Sequence, residues 1–256
     1  MLLGYSLVLS APSWAATGGT APGSGGSSAG GAPSSAPTSG APGSAQSGAG
    51  PAVKSGNVTV SATSGGLTIS SRASALLRGP LQIQGQAPQS AAGSTVEIER
   101  LGRQTHWAWA PTVSAIVNPD GTFSAPWRTN HIGAFSIRAV LTSSGSHIAS
   151  ESGGGAPTVA VTVYRPSLAT EFGPGFYGQS TACGMKLRRS TIGVANRTLK
   201  CGTPVAIYYR GRTMIVPVID RGPYANGADW DLTVATGKAL GIDGTAMIGA
   251  VSEPRR

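Results

Sequence analysis

The run Arg212-Thr213-Met214-Ile215-Val216-Pro217-Val218-Ile219-Asp220-Arg221-Gly222-Pro223-Tyr224 carries the most decisive pattern in the chain. Its first eight residues are rich in β-branched and apolar side chains, the composition of a packed strand. Pro204-Val205-Ala206-Ile207-Tyr208-Tyr209 lies just upstream and is joined to it at Arg210-Gly211, so the two runs are expected to pair as a central hairpin. The second strand ends on a carboxylate, Asp220, immediately before the turn residues Gly222-Pro223. Further on, Thr233 is placed to cap a short helix that buries Val234, Ala235, Ala239 and Leu240 and stops at Gly241.

Upstream of the hairpin stand the only two cysteines, Cys183 and Cys201. In an exported chain they are expected to form a disulfide closing a loop of about 19 residues, worth about 3 kcal/mol; two buried free thiols are the alternative. Gly173-Pro174-Gly175-Phe176-Tyr177-Gly178 matches the dinucleotide pattern in spelling only. That pattern needs a helix N-terminus to receive the pyrophosphate, and neither Pro174 nor the Gly/Ser/Thr-rich continuation supplies one. The glycines are expected to shape a turn that presents Phe176 and Tyr177.

Gly173 to Gly178, Thr181-Ala182-Cys183-Gly184, Gly193-Val194-Ala195-Asn196-Arg197-Thr198-Leu199, Asp220 to Tyr224 and Asp231-Leu232-Thr233 occur in this order. Together they resemble the rare lipoprotein A (RlpA-like) double-psi β-barrel family over roughly residues 167 to 251. The resemblance implies a six-stranded barrel related to expansins and barwin-like domains, a polysaccharide-accepting groove, and lytic transglycosylation of peptidoglycan. Such a reaction needs one carboxyl group to protonate the leaving oxygen and then accept a proton from the sugar's own 6-hydroxyl. Asp220 is the expected catalytic residue, with Tyr177, Thr181, Asn196, Arg221 and Tyr224 as substrate-binding residues. The alternative role for Asp220 is to cap its own turn by accepting backbone N–H bonds. Active relatives carry a His where this chain has Asn196 and an acid where it has Met185. Neither residue exchanges a proton at neutral pH, although Asn196 can hydrogen-bond an N-acetyl group. Glu171 is a candidate second carboxylate with a surface location as the simpler expectation, and Asp229 and Asp231 are assigned to the turn and the helix cap.

Residues 56–165 read as short strands between turns. Asn57–Ser61, Leu81–Gln84, Val96–Glu99, Phe135–Val140 and Val159–Val163 alternate apolar with polar or small residues, and Asn118-Pro119-Asp120-Gly121 is a turn signal. The pattern predicts a sandwich of two antiparallel sheets, and Gly121–Trp127 with Gly133–Ala139 loosely resembles bacterial immunoglobulin-like domains. Trp107 and Trp109 are expected on one face of a strand, as core or as a sugar platform. His106, His131 and His147 have neither cysteine nor paired histidine at ligand spacing, so no metal site is expected.

The fold class is therefore all-β: residues 1–16 an export signal, 17–55 a disordered tether, 56–165 an immunoglobulin-like sandwich, and 166–252 a six-stranded double-psi barrel with a short helix. The first segment is an apolar run ending at Ser13-Trp14-Ala15-Ala16, small residues that suit a signal-peptidase site. From Thr17 to Ala52 every residue except Gln46 is Gly, Ala, Ser, Pro or Thr, too little apolar surface to offset ordering. The net charge of +9 favours polyanionic partners, but no basic run exceeds two residues and no nucleic-acid motif accompanies them, which argues against nucleic acid. The long apolar stretch at the N-terminus stands alone, so no membrane span is expected in the mature chain. The functional expectation is a secreted, monomeric, cofactor-free cell-wall protein that binds peptidoglycan glycan strands or another wall polysaccharide and cleaves them through Asp220. The alternative is a non-catalytic, expansin-like wall-binding module.

Overall fold

The computed structural model describes residues 51–143, 146–147, 155–224 and 227–252. The expected export signal and nearly all of the tether lie outside the described residues. The order of elements is β1 (Lys54–Ser55), β2 (Thr59–Ser64), β3 (Leu67–Arg72), β4 (Ser74–Leu76), β5 (Pro80–Gln86), β6 (Thr95–Leu101), β7 (Ala110–Ile116), β8 (Thr122–Arg128), β9 (Gly133–Ser143), β10 (Ser146–His147), β11 (Thr158–Phe172), β12 (Val194–Ala195), β13 (Pro204–Tyr209), β14 (Arg212–Asp220), β15 (Trp230–Thr233), α1 (Val234–Leu240) and β16 (Ala246–Ser252).

The first half is a sandwich. One sheet runs β2-β3-β5-β8, and the other is built on β11-β9-β6-β7 with β4 and β10 at its margins. Strict alternation along β8 sends Phe123, Ala125 and Trp127 inward. They meet Val96, Ile98, Phe135, Ile137, Val161 and Val163 of the facing sheet in one core. Gly85 lets that core close, because a Cβ there would stand 1.9 Å from the Thr68 carbonyl oxygen.

The two indoles depart from expectation: Trp107 and Trp109 do not share a strand face. Residues Arg103–Thr105 form a 3-10 turn, and His106 and Trp107 both follow it with positive φ, 52° and 61°. Trp107 is left 52% exposed, whereas Trp109 lies under the Arg138 guanidinium, 4.3 Å from its ring centre. The polar Gln104-Thr105-His106 sequence favours a turn over continuation of the strand, and the Thr105 hydroxyl closes it by accepting from Gly102 N–H and donating to Gly102 C=O.

The second half is a closed six-stranded barrel, β15-β12-β14-β13-β16-β11, with β11 returning to pair with β15. Four of its pairings are antiparallel, while β12–β14 and β11–β15 are parallel. The hairpin β13–β14 forms as expected, with Val205 opposite Val216 and Ile207 opposite Met214. Val194, Val205, Ile207, Val216, Val218, Leu232 and Ile248 fill the interior. Helix α1 begins and ends as read: the Thr233 hydroxyl accepts from Thr236 N–H, and Gly241 stops it at φ 79°.

Strand β11 belongs to both halves. Thr158 to Val163 pair with β9 in the sandwich, and Arg165 to Ala169 pair with β16 in the barrel, so position 165/166 falls within a continuous strand. A small cluster of Tyr164, Ala206 and Val251, flanked by Ile132 and Tyr208, packs where the halves meet. The chain is also tied to the barrel before it enters the sandwich. Lys54 and Ser55, at the end of the expected tether, pair with Thr213 and Arg212 of β14. Tyr208 then donates its hydroxyl to Asn57 Oδ1 at 3.0 Å.

Candidate functional site

Asp220 ends β14 beside β12, where the parallel register slips. Val194 is opposite Val218, but Ala195 is opposite Asp220, so two residues of β14 answer one step of β12. Such a bulge bends its strand and re-aims the side chain after it. Met214, Val216 and Val218 point into the core, and the displaced Ile219 is buried against Gly193, where a Cβ would stand 2.7 Å from its side chain. Asp220 is left half-buried at the rim rather than continuing the inward series.

The Asp220 carboxylate is held on one side. Its Oδ1 accepts from Ala182 N–H and Arg221 N–H, both at 2.8 Å, while Oδ2 makes no hydrogen bond among the described residues. The turn-capping role and an available oxygen therefore coexist in one carboxylate. The disulfide Cys183–Cys201 forms, with a Cα–Cα distance of 5.7 Å, and anchors the Ala182 loop to the loop after Leu199. Arg221 lies across it, with Nη2 3.5 Å from Cys201 Sγ.

Asn196 touches the same cluster through its backbone: its N–H donates to Asp220 C=O at 3.2 Å. Its side-chain Oδ1 is committed to the following turn, accepting from Thr198 N–H and Leu199 N–H. Thr181 is 7% exposed and its hydroxyl accepts from Met185 N–H, so it braces the loop that delivers Ala182. Tyr177 and Tyr224 are not joined to Asp220 by any hydrogen bond or ring contact among the described residues. The Tyr177 ring faces the Arg189 guanidinium at 5.1 Å, and Tyr224 is 78% exposed beside the turn. Met185, at the departure from the family's acid, is 45% exposed.

Three carboxylates sit differently from their sequence assignments. Asp231 caps no helix; Thr233 does. Asp231 stands on β15 opposite Ala195, the same residue that is opposite Asp220, and accepts from the Thr170 hydroxyl at 2.8 Å. Burial pushes its carboxyl above the usual carboxylate range, opposed by the Thr170 bond and reinforced by the nearby charge of Asp220. The alternation of Trp230 and Leu232 around it was the sequence signal for this position. Glu171 is not a free surface group. Its Oε2 accepts from Gly244 N–H, and its Oε1 is buried against Gly237 with no partner among the described residues. Burial raises its pKa, and Asp243 and Asp231 add to the shift against the Gly244 bond. The Asp229 side chain reaches a distant strand rather than its own turn, accepting from Leu168 N–H of β11 through Oδ2.

Beside this rim a groove of about 320 Å³ is lined by Asn196, Arg197, Thr198, Ser167, Asp229 and Trp230. No group of acids, histidines or cysteines among the described residues is arranged to hold a metal ion. No helix among them is long and apolar enough to cross a membrane.

A closed six-stranded ring with two parallel crossings, a rim aspartate and a disulfide-bound loop defines a double-psi β-barrel. The barrel fits the RlpA-like double-psi barrel of the relatives that this chain resembles. The chain is 34% identical over 92 residues to a Synechocystis protein named probable endolytic peptidoglycan transglycosylase RlpA, covering 34% of this chain and 29% of that one. It is 37% identical over 81 residues to an Aquifex aeolicus protein of the same name, covering 31% and 36%. The chain thus spans about a third of the length of these curated relatives. A Streptomyces papain inhibitor structure aligns at 25% identity over 35% of this chain and 93% of its own, with a TM-score of 0.29. No family model matches the chain.

Proposed function

We propose that this is an exported cell-envelope protein that binds peptidoglycan glycan strands along the barrel rim and cleaves them as a lytic transglycosylase. The observation that carries the reading is the one-sided carboxylate of Asp220. Oδ1 is held by two backbone donors, so Oδ2 is oriented without being consumed. In the reaction Oδ2 delivers its proton to the glycosidic oxygen as the bond from the anomeric carbon breaks. The 6-hydroxyl of the same sugar then closes on that carbon, and its proton returns to Asp220. No water enters, and the product ends in a 1,6-anhydro sugar. Asp231 lies across Ala195 and places a second carboxyl group within electrostatic reach of the first. The names of the curated relatives support the substrate class, and the disulfide suits an oxidising compartment outside the membrane.

Asp220→Asn keeps the acceptor for Ala182 and Arg221 N–H and removes the exchangeable proton. It is expected to fold normally, retain glycan binding and lose anhydro-ended products by about 100-fold or more. Mass spectrometry of digested, peptide-free glycan strands reads this directly, and unaltered product formation in the variant would end the assignment. A second reading is favoured by Asn196 and Met185, neither of which exchanges a proton. In it the same rim holds wall polysaccharide without cutting it, as in expansins. Wild-type protein that binds strands but releases no anhydro ends would establish this reading.

A further inference from the structure

The rim groove does not stop at the barrel. Ile132, Val251 and Ser252 line it, and the same three residues line a second cavity of about 230 Å³ that opens onto the sandwich. Trp107, Arg103 and Gln104 also line that second cavity. Sharing these residues, the two cavities adjoin as a trough that borders Asn196 on the barrel side and Trp107 on the sandwich side.

Trp107 is built unlike a surface accident. A bulky residue at φ 61° is strained, and here it follows a second non-glycine residue of positive φ. The turn that imposes this conformation is closed by the Thr105 hydroxyl on Gly102 and by Trp107 N–H on Gly102 C=O. The result is a half-exposed indole that lines a cavity from a backbone held by this turn. A flat apolar face that lines a cavity together with Gln104 and Arg103 suits a pyranose ring, which presents C–H groups on its face and hydroxyls on its edge. An apolar peptide would leave those polar groups unmatched. The lining of the trough also carries three arginines, Arg103, Arg165 and Arg197, against one acid, Asp229, an excess of positive charge complementary to the lactyl carboxylates that recur on muramyl sugars.

We infer that Trp107 is a remote sugar-binding platform, and that the sandwich extends the barrel's site so that one glycan strand lies across both halves. The inference rests on the proposed function for its polymer and adds a subsite to it. Strand β11 runs unbroken between the halves, which holds the two subsites at a fixed separation. A repeating polymer gains from such a second subsite only when it is long enough to reach both.

The test compares full-length protein and its Trp107→Ala variant in calorimetric titrations with peptide-free glycan of two lengths, the disaccharide and strands of roughly ten sugars. The variant is expected to bind the long strands about tenfold more weakly, to bind the disaccharide as the wild type does, and to melt at the same temperature. Trp107→Phe, which keeps an aromatic face, should recover most of the loss. Long strands should also change the indole fluorescence of the wild type, and the change should shrink in both variants. Undiminished affinity of Trp107→Ala for long strands overturns the platform, and so does loss of self-association in sedimentation with glycan affinity intact, which would give the trough to a second copy. Wild-type protein that binds neither length instead defeats the proposed function itself.

Discussion

The two halves of this chain hold their shape by different means. In the sandwich, period-two burial does most of the work. Strand β8 alternates exposed and buried at every residue, and several side-chain bonds to backbone run from a hydroxyl to the carbonyl of another strand, such as Thr129 donating to Leu76 C=O and Thr142 donating to Thr95 C=O. In the barrel, Thr181, Thr191, Asn196 and Asp220 all fasten loops by accepting from backbone N–H groups, and a disulfide crosses between two of those loops. Distributed apolar burial tolerates variation but presents little chemistry. Discrete polar fasteners give a rigid rim on which a single carboxylate can be aimed, which is where a site belongs.

The contrast can be broken most forcefully from the sandwich side. Phe123 is 1% exposed at the centre of its core, so Phe123→Ala should cost about 3–5 kcal/mol in urea titrations. Because β11 is shared, hydrogen exchange should show the amides of β14 losing protection together with those of the sandwich. Wild-type protection in β14 would mean that the halves unfold independently. Next in size is the covalent fastener. Cys183→Ser should lower stability by about 3 kcal/mol, and reductant should weaken the wild type by a similar amount while leaving the variant unchanged.

Acid should separate the halves by sign. Asp120 in the sandwich has a lowered pKa through its bonds with Thr122, so its contribution is present above its unfolded value and is lost as pH falls through the folded one. Asp231 and Glu171 in the barrel are raised by burial. Their charged forms oppose folding, so the barrel gains stability as pH falls through their folded values toward the unfolded ones. Asp231→Asn should therefore raise the melting temperature slightly at neutral pH and flatten the acid response, since the Thr170 hydroxyl keeps an acceptor. A variant less stable than the wild type at neutral pH would show that the Asp231 charge is favourable, contrary to its burial.

The sandwich was legible wherever alternation was clean, as in Phe135–Val140 and Val159–Val163. It was less so at β3, where Ser70 and Ser71 dilute the apolar signal of Leu67 and Ile69, and at β7, whose Pro111 argues against a strand. The barrel's hairpin, helix cap and disulfide followed from local chemistry and from the family resemblance. The bulge at Asp220 did not, because it depends on which residue of a distant strand lies opposite. The placement of Trp107 was hidden for a related reason: spacing put it on a strand, and a turn closed by Thr105 took it off. Asp231 was assignable to β15 from the alternation of Trp230 and Leu232, because Thr233 already took the cap.

Strand β11 also limits how this protein can vary. Modules joined by a loop can be exchanged or respaced freely, whereas these two share a pleat. One residue inserted between Val163 and Arg165 would turn every following side chain of the strand to the opposite face, putting Ala169 outside the barrel and Thr170 within. Two inserted residues would restore the faces but lengthen the strand by about 6.6 Å. Exchange of the N-terminal module is therefore constrained by parity, and only even changes in strand length leave the barrel with its inside in.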